Sequence, residues 1–274
     1  MSDEEKAPPG VDVSIPSAAR LYDYYLGGEL NYAADRAAGA EVTEKVPEIR
    51  DVAWSNRGFL QRAVRWVAQQ GVRQFVDIGA GLPTQNNTHQ VARAVRDDAR
   101  VVYVDHDPIV RLHADALLVG DEQTAVLLRD MRDPEGVLDA PETRALIDFS
   151  EPVAMLLVAV THFLSDDEDP WGIVDRYLRD LAPGSYLVLS AGTQDFQPEW
   201  RVRAVQEIYA KSRTGVHTRT REQFERFLDG LEIVPPYDGA EAEVTYVGFW
   251  GAEDAAEADS DGSRWSYCAV ARKP

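Results

Sequence analysis

Apolar positions along the chain recur at two periods. In VAWSNRGFLQRAVRWVAQQ, Trp54, Phe59, Leu60, Val64 and Val67 are spaced for one buried face of a helix that Gly71 ends. Short apolar runs then alternate with helical segments through RQFVDIG, HQVARAV, RVVYVD, PIVRLHADALLV and TAVLLRD. That alternation predicts βαβαβ units and a parallel sheet. PVAMLLVAV reads as a strand buried on both faces, followed by the helix PWGIVDRYLRDL, a turn at Pro183 and Gly184, and the strand SYLVLSAG. After Gly192 come a charged helix from about Glu199 to Lys211, a basic loop SRTGVHTRT, and a helix REQFERFLDGL that Thr220 can cap. EVTYVGFW and SRWSYCAVARK read as an antiparallel hairpin with a long acidic loop.

The N-terminal part has a different texture. Residues 1–14 are polar, proline-bearing and aperiodic, the pattern of a disordered tail. Residues 15–70 form a helical cap, and 71–274 the α/β domain. Within the cap, IPSAARLYDYYLGGELNYAADRAAGAEV is split by Gly27 and Gly28 into two helical pieces, with Leu21, Tyr25 and Tyr32 able to share an apolar face. Such a tyrosine cluster is either core packing or a lid over a neighbouring site.

Composition narrows the setting. A chain of 274 residues with 45% hydrophobic content suffices for one large domain. Cys268 is the one cysteine, which excludes an internal disulfide or a multi-cysteine metal site and fits a reducing compartment. The acidic start MSDEEKAPPG lacks a secretory pattern, and the longest apolar run, Val153 to Val160, falls far short of the ~20 residues a spanning helix needs. These features predict a cytoplasmic protein. A net charge of −19 disfavours nucleic acid and anionic membranes as partners. A small molecule is the expected substrate, and no pattern specifies an oligomeric state.

The richest stretch for chemistry is FVDIGAGLP. A strand carrying Asp77 runs into Gly79 and Gly81, and the next apolar strand ends in Asp105. Glycines there allow a sharp turn and close approach of a ligand over the carboxyl ends of the strands. Asp105 falls where an acid accepts hydrogen bonds from ribose hydroxyls. Two cofactors compete for such a pocket, a dinucleotide and S-adenosylmethionine. The dinucleotide fingerprint needs a third glycine, followed at once by a helix whose N-terminus receives pyrophosphate. Thr84 stands at that position, and the helix is expected only near Thr88, with Thr88 as its N-cap. S-adenosylmethionine carries no phosphate, and Asp77 offers a carboxylate to its ammonium group. No Walker loop, His-Glu-x-x-His pair or serine elbow is found, and SDDEDP has no metal-ligand spacing.

Taken with PSAARLYDYYLGGELNYAADR, NRGFL, VVYVDHDPIV, LRDMRDP, PVAMLLVAVTHFL and LAPGSYLVLSAGT, these residues resemble the class I S-adenosylmethionine-dependent methyltransferases. More narrowly, they resemble a family of S-adenosyl methyltransferases first catalogued as a domain of unknown function. The resemblance spans about residues 15–235. It implies a Rossmann-like, seven-stranded, mostly parallel sheet with an antiparallel C-terminal hairpin and an N-terminal helical cap. It also implies that Gly79 and Gly81 hold the methionine portion, Asp105 the ribose, and Asp130 the adenine amino group. Met131 and His106 would flank the adenine ring, while Val160, Thr161 and His162 would face the sulfonium and the acceptor. The extended LPTQNNTH loop departs from the class pattern, and Asn86, Asn87 or Thr88 either replaces the usual backbone donors or is a surface turn residue.

His162 is the candidate general base, although a histidine after a buried strand also serves simply to satisfy backbone groups. Methyl transfer does not require a base, because alignment supplies much of the acceleration. Tyr22, Tyr25, Asn31 and Arg57, with Gly27 and Gly28, are candidates for the lid and substrate wall; Arg57 either grips a carboxylate or pairs with a surface acid. Two rivals share the pocket: a non-catalytic module that senses S-adenosylmethionine or a nucleoside, and an NAD(P)-dependent oxidoreductase.

Overall fold

The computed structural model describes residue 8 and residues 11–83, 86–212, 214–254 and 258–274. The N-terminal helices are α1 (Ala18–Tyr25), α2 (Ala33–Lys45) and α3 (Ile49–Gln69). The α/β part runs β1 (Gln74–Ile78), α4 (Thr88–Arg93), β2 (Arg100–Asp105), α5 (Pro108–Leu117), β3 (Thr124–Leu128), α6 (Pro134–Leu138), α7 (Pro141–Leu146), β4 (Ala154–Val158), α8 (Pro170–Leu178) and β5 (Tyr186–Gly192). It closes with α9 (Glu199–Tyr209), α10 (Arg221–Glu225), β6 (Glu232–Ile233), β7 (Thr245–Tyr246) and β8 (Ser266–Arg272).

Among the described residues these strands form one sheet in the order β3-β2-β1-β4-β5-β8-β6, with β7 also pairing β8. The first five are parallel, and β8 enters antiparallel beside β5, with Tyr186 opposite Arg272 and Gly192 opposite Ser266. The expected hairpin is present but reduced on one side to Thr245–Tyr246, paired to Cys268 and Tyr267. β6 is an addition that the sequence pattern did not announce. Its two residues carry no periodicity, and it exists because β8 offers a free edge at Ala271 and Arg272.

β1 and β4 are buried at every position, as apolar runs covered on both faces must be. One core cluster, including Val76, Met155, Tyr177 and Leu187, fills one face; another, including Phe59, Phe75, Leu156 and Trp250, fills the other, where α3 packs. On α3 the buried face is Ala53, Phe59, Leu60, Val64 and Val67, whereas Trp54 is 56% exposed. The helix starts earlier than its pattern suggested, and a residue one step from Ala53 is rotated ~100° away. Tyr32 also leaves the face expected for it: Leu21 and Tyr25 pack with Val42 and Ile208, while Tyr32 packs beside Leu82 and Ile109.

Of the expected tail, residues 1–7 and 9–10 lie outside the described residues. Val11 reaches the Leu82, Ile109 and Val110 cluster. Thr84 and Gln85 also lie outside them. α4 is capped by Asn87 rather than Thr88. No described helix is long and apolar enough to cross a membrane.

Candidate active site

Strand order turns back between β1 and β4, and the crevice outside the carboxyl ends of parallel strands at such a point is where open α/β sheets bind ligands. Here that crevice is a cavity of about 290 Å³ lined in part by residues of α1 and α3. Its lining brings together Asp77, Gly79, Gly81, Asp105, His106, Met131, Val160 and His162 with Tyr22 and Arg57 from the cap.

Asp105, last residue of β2, is 8% exposed. Its Oδ2 accepts from the Gly81 N–H (2.9 Å) and its Oδ1 from the Asp107 N–H (2.9 Å), while burial still pushes its carboxyl upward. His106 Nδ1 lies 3.8 Å from Asp105 Oδ1. The turn above the sheet is a left-handed one, with φ +71° at Gly79 and +67° at Gly81. The two glycines do different things. A Cβ on Gly79 would meet Val160 Cγ2 at 2.3 Å, so Gly79 allows β1 and the β4 loop to close together; a Cβ on Gly81 would meet nothing within 4 Å. The space beside Gly81 is open to a ligand.

Asp77 is buried beneath this turn, its Oδ2 accepting from Thr88 Oγ1 (2.6 Å). Burial pushes its carboxyl up to about 6, against the pull of the Thr88 hydrogen bond and the Arg57 guanidinium. Arg57 Nη2 donates to Asn87 Oδ1 (3.0 Å), so the residues around 87 and 88 tie the post-glycine loop to both Arg57 and Asp77. Among the described residues, the first helical one after Gly81 is Thr88, seven positions beyond it, and a pyrophosphate needs a helix N-terminus adjoining the turn.

At the end of β4, Ala159 adopts φ +56°, and its N–H is shared by Ser190 O (3.0 Å) and Ser190 Oγ (2.9 Å). Ser190 Oγ donates to Asn56 Oδ1 (2.6 Å), Asn56 Nδ2 donates to the Tyr22 hydroxyl (2.9 Å), and that hydroxyl donates to Ala53 O (3.0 Å). The chain of bonds links α1, α3 and β5 at the cavity floor and uses the Tyr22 hydroxyl proton. Of its members Tyr22 was a candidate from sequence, whereas Asn56 and Ser190 were not, although the asparagine that opens NRGFL was a signal.

His162 follows β4 in a short helical turn. Its Nδ1 accepts from the Gly192 N–H (3.2 Å), its carbonyl accepts from His217 N–H (2.7 Å), and burial with nearby Arg219 drives its value down to about 3. The ring is therefore neutral with its proton on Nε2. This state argues against the expected general base, because the nitrogen able to take a proton is already spent on the backbone.

Several expected residues fall outside the lining, Thr161, Gly27 and Gly28 among them. Asp130 Oδ1 accepts from the Arg132 N–H (2.9 Å) and from Arg132 Nη1 (3.2 Å), and it is Met131 and Arg132 that reach the cavity. Tyr25 is a core residue between α1, α2 and α9. Asn31 donates to Asp23 Oδ2 (2.8 Å) and Gly28 O (2.9 Å), serving the double-glycine turn. Conversely, residues 11, 12 and 15–20 line the cavity. Arg20 holds this strap, donating to Ile15 O (2.6 Å) and to Asp35 (2.8 Å) within an ion pair exposed by only 2% and 0%. Thr214, Val216 and Thr218 of the basic loop also line it, fastened by Arg219, whose guanidinium donates to Thr161 O (3.0 Å) and Leu164 O (2.7 Å).

Comparison with known proteins agrees with this geometry. A family model described as S-adenosyl methyltransferase matches residues 4–274. A proposed methyltransferase from Thermobifida fusca is 40% identical, with TM-score 0.89, 97% of this chain and 98% of that chain covered. A DUF574 family protein from Streptomyces avermitilis is 41% identical, with TM-score 0.89 and coverages of 96% and 99%. At 11% identity and TM-score 0.50, covering 93% and 96%, the plantazolicin methyltransferase BamL, in complex with a triazolic desmethylPZN analog and SAH, shares the fold alone. No curated protein matches the chain.

Proposed function

Because the chain belongs to the S-adenosyl methyltransferase family, we propose that it transfers a methyl group from S-adenosylmethionine to a small-molecule acceptor bound between the sheet and the helical cap. The observation that carries this reading is the cavity at the β1/β4 turning point, with the Asp105 carboxylate buried at its edge.

The residues suit the donor. Asp105 keeps unused lone pairs on both oxygens after accepting two backbone N–H groups, which fits a ribose diol. Asp77 is a desolvated carboxyl with an elevated value, a state that an ammonium group would relieve. Gly81 leaves open space for the methionine chain, and Met131 with His106 supplies the adenine flanks. When bound, the donor supplies a methyl carbon already activated by a cationic sulfur.

What the protein adds is alignment. The strained Ala159 and the bonded chain from Ser190 to Tyr22 fix the floor, so the acceptor meets a rigid surface rather than a flexible loop. His162 presents an N–H and takes no proton. Without a base, the acceptor atom must carry an available lone pair at working pH.

Calorimetry with S-adenosylhomocysteine tests the assignment. Wild type should bind, and Asp105→Ala should bind about tenfold or more weakly, since a hydrogen bond to a charged group is worth ~1.5–3 kcal/mol. Equal affinity in a folded variant would overturn the ribose role. Tight binding with no methyl transfer to any acceptor would point to a sensing module.

A further inference from the structure

Resting on the methyltransferase reading, we infer that the acceptor is a flat, largely apolar aromatic compound whose methylated atom is a hydroxyl oxygen. The wall beyond the cofactor positions comes from the start of α3, from α9, and from the segments after β4 and before β8. Its members include Ile49, Val52, Phe163, Val205, Tyr209 and Trp265. The indole N–H of Trp265 is taken by Glu48 Oε1 (3.1 Å), leaving an apolar ring. The rings of His162 and Phe163 lie 4.4 Å apart at 68°, and those of Phe163 and Tyr209 lie 6.3 Å apart at 30°. An apolar, ring-rich wall of this make suits planar rings.

Charge selects further. Among the described residues, the carboxylates that line the cavity are Asp12, Asp77, Asp105 and Asp107. Asp77 is bonded to Thr88 and Asp105 to two backbone N–H groups, both at the cofactor end; Asp107 caps α5, and Asp12 accepts from Ser14. Glu48, which takes the Trp265 N–H behind the wall, is already paired with Arg201 Nη1 (2.8 Å), so an ammonium acceptor would be desolvated there without a free counter-charge.

His162 decides the atom. With Nδ1 accepting from Gly192, Nε2–H is the donor left to the ligand, and among the described residues Nε2 has no protein partner. A pyridine-type nitrogen or a neutral amine has one lone pair, and this donor would occupy the pair that must attack. A phenolate oxygen has others to spare. In the transfer, an oxygen lone pair forms the new C–O bond, and the methyl–sulfur pair remains on sulfur. The phenolic proton has passed to solvent beforehand.

The test uses the full chain saturated with S-adenosylhomocysteine and three probes: 2-naphthol, isoquinoline and benzylammonium. By calorimetry 2-naphthol should bind at least about tenfold more tightly than either other probe, one charge-assisted hydrogen bond's worth. Its ionisation constant in the complex, read from naphtholate absorption, should rise by a similar factor. His162→Ala should remove both effects while keeping S-adenosylhomocysteine affinity, and His162→Gln, which retains an N–H donor, should restore part of them. Val205→Asp should abolish naphthol binding without touching the nucleoside. Equal binding of isoquinoline or benzylammonium, or no probe binding to a nucleoside-loaded protein, overturns the inference. Failure of the nucleoside itself to bind would instead overturn the methyltransferase reading.

Discussion

Asp77 and Asp105 are both buried carboxyls, yet their surroundings divide the work between them. Asp105 is supported by two backbone donors, whereas Asp77 has the Thr88 hydroxyl and the distant pull of Arg57. Asp77 therefore bears a desolvation cost in the free protein, which a cationic ligand group would offset. Its value rises from 3.8 to about 6 on folding, so the folded chain holds this proton more tightly. Stability from this group is accordingly greatest at low pH, declines as pH rises from about 4 to about 6, and stays flat above. Asp77→Asn should abolish that slope and stabilise the ligand-free protein at pH 7 by up to about 3 kcal/mol, with no gain at pH 4. Urea unfolding at both pH values checks this, and the same variant should bind S-adenosylhomocysteine more weakly. A destabilised variant at pH 7 would show that the carboxylate is already compensated.

At the scale of elements, the turn after β1 shows how two glycines of one motif divide structure from binding. Gly79→Ala combines a left-handed φ with a Cβ pressed on Val160, and should lose more than about 2 kcal/mol of stability. Gly81→Ala meets only the backbone cost of about 1 kcal/mol, yet places a methyl in the open space of the cavity. Thermal melts should separate the two variants, and calorimetry should show Gly81→Ala losing nucleoside affinity while still folded. The Gly-x-Gly spacing was legible in the sequence, as were β1 to β5 and most of their helices, because each buried strand is an uninterrupted apolar run between turn residues. β6 and the exposure of Trp54 were not legible: one depends on an edge made by a distant strand, the other on where α3 begins.

For the molecule as a whole, the buried Arg20–Asp35 pair connects cap, strap and cavity. Arg20 gathers Ile15 and the strap onto α2, and Asp35 also accepts from the Ser17 and Tyr32 N–H groups. Truncating one partner strands the other charge in the interior, typically a loss of ~3–5 kcal/mol. Asp35→Ala should therefore unfold earlier, and hydrogen exchange should show residues 11–17 losing protection along with nucleoside affinity. Exchange confined to α2 would mean that the strap is held by other contacts.

What the sequence determined by itself is the α/β alternation, the glycine turn and the acids ending β1 and β2, because these follow from local periodicity and the stereochemistry of short segments. The tertiary structure decided which polar side chains reach the cavity. Asp130, Tyr25 and Asn31 are drawn off by Arg132, the α1–α2–α9 core and the Asp23 turn, while Asn56 and the strap are brought in and Ser190 and Arg219 fasten the lining from behind. The histidine expected as a base has its Nδ1 committed to the Gly192 N–H for the same reason. Its protonation is set by the Gly192 N–H and by burial, both supplied by strands and loops that meet only when the sheet closes.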